Sequence, residues 1–179
     1  MASQTHKRIA LVAHDDKKHD LLEWARYNRA FLIQHELHAT GTTGTLLEQE
    51  LGVSIHKLHS GPLGGDQQIG AMIAQRELDL LVFFWDPLQT QPHDSDVRAL
   101  LRIAVVWNVP VACNRASADF MLTSPLMSEP YEALVPNYDR PSTGARRPER
   151  EQREDDRLAS SAHGRVARPV AQRAKERRA

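Results

Sequence analysis

The chain reads as a single-domain α/β protein built on a mostly parallel, doubly wound sheet of five strands with helices on both faces. Three observations carry that expectation. Short apolar runs alternate with segments whose apolar residues recur at helical spacing. The strongest run, Leu80-Leu81-Val82-Phe83-Phe84-Trp85, is apolar throughout, as a strand buried on both faces must be. The length, 179 residues, suits one domain with a tail.

The elements follow in order. Residues 9–13 form an apolar run that turns polar at His14-Asp15-Asp16. From 17 to about 34, Leu21, Leu22, Trp24, Ala25, Phe31 and Leu32 recur at helical spacing. Residues 36–40 form a second strand; Gly41-Thr42-Thr43-Gly44 is a loop, and a short helix spans 45–50 with Gly52 ending it. Residues 53–58 alternate as a third strand, and 60–66 form a glycine-rich loop before a helix over 67–76. After the strand at 80–85, a helix covers 94–108, a fifth strand begins at 109–112, and a helix spans 117–122. Ala133-Leu134-Val135 reads as a short last strand. The architecture is flavodoxin-like or Rossmann-like, and such sheets bind ligands beyond the carboxyl ends of their strands. Polar loops follow each of the first four strands, so they converge on that rim.

Formal net charge is zero but unevenly spread. Residues 141–179 carry 11 Lys/Arg against 6 Asp/Glu, which leaves 12 against 17 in residues 1–140. A mildly acidic compact part argues against nucleic-acid binding by the folded domain. From Pro141 onward large apolar residues almost vanish, so 1–140 is expected to be the domain and 141–179 a charged, Arg/Ala-rich, disordered extension. The single cysteine, Cys113, allows no intrachain disulfide. The first apolar run is too short for a secretory signal or a membrane span, so the expected location is the cytoplasm and no membrane partner is expected.

Several side chains suit anion binding and proton transfer. Gly41-Thr42-Thr43-Gly44 lies between strand and helix, where unpaired backbone N–H groups attract phosphate; an ordinary helix cap fits the same residues. Ser60-Gly61-Pro62-Leu63-Gly64-Gly65-Asp66 imposes an unusual backbone path and ends on a carboxylate at a helix mouth, where an N-cap is the plainer reading. His14 can polarise an oxygen or shuttle a proton, Lys18 can neutralise a phosphate, and Pro92-His93-Asp94-Ser95-Asp96 again sets a histidine beside carboxylates. These histidines and carboxylates match no standard zinc spacing. Asp15, Asp16 and Asp86 suggest the acidic pocket of a response-regulator receiver, but Asp86 follows the fourth strand, not the third.

Read together, Ala10-Leu11-Val12-Ala13-His14-Asp15, Ala39-Thr40-Gly41-Thr42-Thr43-Gly44, Gly61-Pro62-Leu63-Gly64-Gly65-Asp66-Gln67-Gln68, Phe83-Phe84-Trp85-Asp86-Pro87 and Pro92-His93-Asp94 closely resemble the methylglyoxal synthase family, in order and over most of 8–139. The resemblance implies a carbon–oxygen lyase that converts dihydroxyacetone phosphate to methylglyoxal and inorganic phosphate, a bypass of glycolysis. It implies no metal and no organic cofactor, a cytosolic homo-oligomer, commonly a hexamer, and allosteric inhibition by phosphate. It makes Asp66 the catalytic acid/base and sets His14 and His93 on the substrate oxygens. Lys18, Thr40, Thr42, Thr43, Ser60 and Gly61 would hold the substrate, and Asp15, Asp86 and Asp96 would be supporting carboxylates. Family members carry a C-terminal arginine that approaches a phosphate; Arg140, Arg146 and Arg147 all qualify, and the sequence does not choose among them. Related domains serve as regulatory modules in larger enzymes, but the presence of Asp66 with both histidines favours catalysis.

Overall fold

A computed structural model describes residues 6–89, 94–131 and 133–135. Five strands form one sheet: β1 (Arg8–Ala13), β2 (Glu36–Thr40), β3 (His56–Leu58), β4 (Leu80–Phe84) and β5 (Val111–Ala112). Their order is β3-β2-β1-β4-β5, and every neighbouring pair is parallel. Among the described residues six α-helices accompany them: α1 (Lys18–Tyr27), α2 (Arg29–Leu32), α3 (Gly41–Leu51), α4 (Gly65–Ala74), α5 (Asp94–Val106) and α6 (Arg115–Leu122).

The two-residue period of a strand sorts the sheet into two cores. Ile9, Leu11 and Ala13 of β1, with Leu80, Val82 and Phe84 of β4, pack against Trp24 of α1, Leu47 of α3 and Leu122 of α6. Ala10 and Val12, with Leu81 and Phe83, face Ile69 and Ile73 of α4 and Leu100 and Ala104 of α5 on the other side. Trp24 is fully buried, and its indole N–H donates to Asp119 Oδ1 at 2.8 Å, which satisfies its one donor and ties α6 to α1. The chain winds outward from β1 to β3 on one side and from β4 to β5 on the other. The β1/β4 border is therefore the topological switch point, where a crevice opens at the strand ends.

Local chemistry moves several expected boundaries. The helix expected over 17–34 breaks into α1 and α2 because the Asn28 side-chain amide donates to Trp24 O at 2.9 Å, competing with helix continuation. Gly41-Thr42-Thr43-Gly44 is not a loop but the first turn of α3, since Thr40 stays extended (φ −82°, ψ 138°) and serves as its N-cap. Gly52 ends that helix as expected, left-handed at φ 66°, its N–H returning to Glu48 O at 3.0 Å. The edge strand β3 shrinks to three residues. Residues 133–135 form no strand; the carbonyl of Leu134 instead accepts from Asn108 Nδ2 at 3.0 Å. The extension expected over 141–179, with Arg140, Arg146 and Arg147, lies outside the described residues.

Candidate active site

A cavity of about 90 Å³ opens at the carboxyl ends of β1 and β4. Each wall comes from a loop that follows a strand. From β1 come His14, Asp15 and, one helical turn on, Lys18. From β2 and the start of α3 come Thr40, Thr42 and Thr43; from the loop after β3 come Ser60 and Gly61; from α4 comes Asp66. All nine are residues in which the sequence suggested chemistry. Val12, Ala13, Pro62 and Phe83 complete the walls. Sequence reasoning misses Val12, Ala13 and Phe83 as wall residues because they read as core; their place near the carboxyl ends of central strands is the signal that finds them.

His14 is 5% exposed. Its backbone N–H donates to Phe84 O at 3.2 Å, and its ring meets Phe83 edge-on with centroids 5.2 Å apart. Nδ1 accepts the backbone N–H of Asp86 at 3.3 Å. A nitrogen that accepts carries no proton, so in the neutral ring the N–H sits on Nε2. Asp86 thus acts on His14 through its backbone, while its carboxylate accepts the N–H of Leu88 at 3.0 Å in a local turn.

The side of the cavity formed by the segments after β2 and β3 rests on close backbone approach. Gly41 adopts φ +40°, and a β-carbon there would come 2.8 Å from Ser60 Cβ. At Gly65 a β-carbon would stand 2.1 Å from the carbonyl oxygen of His59 and 3.0 Å from Thr40 Cγ2. Absent side chains therefore let the loops after β2 and β3 touch. Ser60 O closes the second loop by accepting the N–H groups of Leu63 at 2.9 Å and Gly65 at 3.0 Å. Thr42 and Thr43, in the first turn of α3, line the cavity, and a helix start carries N–H groups without intrahelical partners and a partial positive charge. Lys18 Nζ donates to Thr42 Oγ1 at 2.6 Å and pairs with Asp15 Oδ1 at 2.6 Å.

Asp66 is not the N-cap of α4. That position is Gly64, left-handed at φ 98°, and Asp66 lies within the first helical turn, 3% exposed. It also borders a second cavity of about 250 Å³ between α4 and α5, shared with Gln67, Gly70, Asp96 and Leu100. Asp96 faces that cavity and Asp86 faces neither, so the structure does not gather these two with the rest. His93 lies outside the described residues. Cys113 is away from both cavities, and burial pushes its thiol above its ordinary pKa, which disfavours the nucleophilic thiolate. Among the described residues no three His, Cys, Asp or Glu side chains are grouped to hold a metal ion, and no helix is long and apolar enough to cross a membrane.

A parallel α/β domain with hydroxyls, a helix start and a lysine on one side of a small cavity, and a histidine and a buried carboxylate lining the same space, defines a binder of small anions equipped for proton transfer. Comparison with known proteins narrows the class. Residues 20–113 match the family model described as MGS-like domain. The methylglyoxal synthase of Cellvibrio japonicus is 63% identical over 133 residues, 74% of this chain and 86% of the relative. That of Coxiella burnetii (strain RSA 493) is 58% identical over 135 residues, covering 75% and 94%. The crystal structure of methylglyoxal synthase from Elizabethkingia anophelis superposes with a TM-score of 0.72 at 54% identity, covering 79% of this chain and 95% of the other. The chain belongs to the methylglyoxal synthase family.

Proposed function

We propose that the chain converts dihydroxyacetone phosphate to methylglyoxal and inorganic phosphate. The observation that carries this reading is the placement of the buried Asp66 carboxylate in the wall of a cavity whose other walls carry phosphate-binding groups. Identity of 58–63% to methylglyoxal synthases supports the same conclusion.

In this reading Lys18, Thr42, Thr43 and the backbone at Gly41, Ser60 and Gly61 hold the phosphoryl group, with Thr40 shaping the wall. Asp66 takes a proton from the hydroxymethyl carbon beside the carbonyl. A carbon acid of that kind is weak, so its base must lie within hydrogen-bond reach. Charge then builds on the carbonyl oxygen, and His14 donates its Nε2 hydrogen to it; His93 is expected to donate alongside. The enediolate expels phosphate when the C–O bond lies perpendicular to its plane, where that bond overlaps the π system. A site that fixes the phosphoryl group rigidly selects this outcome over simple isomerisation. Asp66 returns its proton to the departing phosphate, and the enol left behind ketonises to methylglyoxal. Atoms balance without water or a redox partner.

Asp15, Asp86 and Asp96 act on neighbours and not on the substrate. The same reading makes the protein a cytoplasmic homohexamer inhibited allosterically by phosphate, drawing triose phosphate away from glycolysis. Large apolar side chains left exposed, among them Tyr27, Val105 and Phe120, support self-association. The test is one preparation incubated with dihydroxyacetone phosphate and a chelator, then sized by light scattering. Equal yields of methylglyoxal and phosphate from a six-copy particle are expected. Phosphate release without methylglyoxal would instead indicate a phosphatase.

A further inference from the structure

The lysine that lines the cavity already has a carboxylate partner of its own. Lys18 begins α1, and its ammonium group meets Thr42 Oγ1 and Asp15 Oδ1, each at 2.6 Å. An ammonium has three N–H donors, so these two partners take two of them. The pair is asymmetric. The Lys18 side chain is 23% exposed, whereas that of Asp15 is 84% exposed. The cation belongs to the cavity, and the carboxylate stands largely in water beside it.

Such an exposed pair adds little to stability, because solvent screens it and two side chains lose freedom in forming it. Nor is it needed to hold the turn, which is closed by the backbone N–H of Lys17 donating to His14 O at 2.9 Å. Its consequence falls on whatever anion enters. A phosphoryl group seated against Thr42 meets Lys18 engaged by Asp15, and it meets the Asp15 charge at short range. Substrate and product share that seat, so an enzyme that grips the phosphoryl group firmly also grips the inorganic phosphate it must release.

We infer that Asp15 is an internal competitor for the phosphate seat. It pairs with Lys18, yields it as the phosphoryl group enters, and reclaims it as inorganic phosphate leaves. This deepens, and rests on, the reading of the cavity as a triose phosphate site. It separates Asp15 from the supporting role expected of it, because the competitor weakens phosphate binding where a support would strengthen it.

The experiment measures inorganic phosphate binding to the full chain by calorimetry, and product inhibition alongside. Asp15→Asn keeps the side chain's shape and removes its charge. It is expected to lower the phosphate Kd about threefold to tenfold, with the inhibition constant falling in parallel. In a Lys18→Gln background the same substitution should change the Kd by less than about twofold. Weaker or unchanged phosphate binding by Asp15→Asn would overturn the proposal and make Asp15 a residue that orients Lys18. Equal tightening in both backgrounds would overturn it too, leaving only a general charge effect. Turnover of dihydroxyacetone phosphate by the unsubstituted protein is read separately; its absence defeats the functional reading, while the phosphate titrations still judge the competition.

Discussion

His14 is held on three sides, by Phe84 through its backbone, by Phe83 against its ring and by the amide of Asp86 at Nδ1. That last contact decides which nitrogen carries the hydrogen, leaving Nε2 as the donor of a residue that lines the cavity. A donor matched to charge that appears only during reaction contributes to turnover more than to substrate binding. His14→Gln is therefore expected to lower kcat about a hundredfold, while KM changes less than threefold. Steady-state kinetics checks this; a raised KM at unchanged kcat would make His14 a substrate-binding group only.

At the scale of the element, the site depends on the segments after β2 and β3 meeting without side chains between them. Gly65 is the tightest point, because a β-carbon would collide with the carbonyl of His59 at 2.1 Å. Gly65→Ala must displace either that carbonyl or the start of α4, and Asp66 is the next residue. It is expected to cost about 1–3 kcal/mol of stability in urea unfolding and to depress turnover at temperatures where the protein remains folded. A variant with unchanged stability and turnover would show that α4 shifts freely.

Much of this was legible beforehand, for reasons that differ by element. β4 announces itself because a strand covered on both faces has no polar position. The glycine-rich stretch at 60–66 was readable as an unusual backbone path, and Asp66 could be placed at a helix mouth. Gly41-Thr42-Thr43-Gly44 misled because glycines and threonines disfavour helix, yet tertiary contact with the next loop settles them into α3. Ala133-Leu134-Val135 misled because an apolar triplet says nothing of whether a neighbouring strand is available. The resemblance groups Asp86 and Asp96 with the site as supporting carboxylates; Asp96 borders the second cavity, and the backbone N–H of Asp86 donates to His14. Which way a turn of helix or loop points is set by packing, and sequence distance does not reveal it.

Across the whole molecule, buried and half-buried histidines couple the fold to pH. His38 of β2 is 4% exposed, beside His56 of β3 at 5.2 Å between ring centroids and 3.1 Å from Glu36. Burial lowers its pKa, Glu36 works against that shift, and His56 adds to it. His35 is lowered as well, again chiefly by burial. A histidine depressed in the folded state gives stability that is complete above its unfolded pKa of about 6.5 and is lost as pH falls through the folded value. The urea midpoint should accordingly drop between pH 7.5 and pH 5. His38→Leu should flatten that decline, with His35 sustaining what remains; an unaltered slope would mean that His38 protonates without penalty.

These scales meet at Asp66, where the sheet's switch point, the glycine-packed loops and the threonine-lined wall set one buried carboxylate beside the cavity. The most direct test is methylglyoxal formation by Asp66→Asn, which preserves shape and removes the base. The account predicts that turnover falls at least a thousandfold, on the order expected for loss of a general base, in a protein that still binds phosphate. Turnover within tenfold of the unsubstituted protein would contradict it.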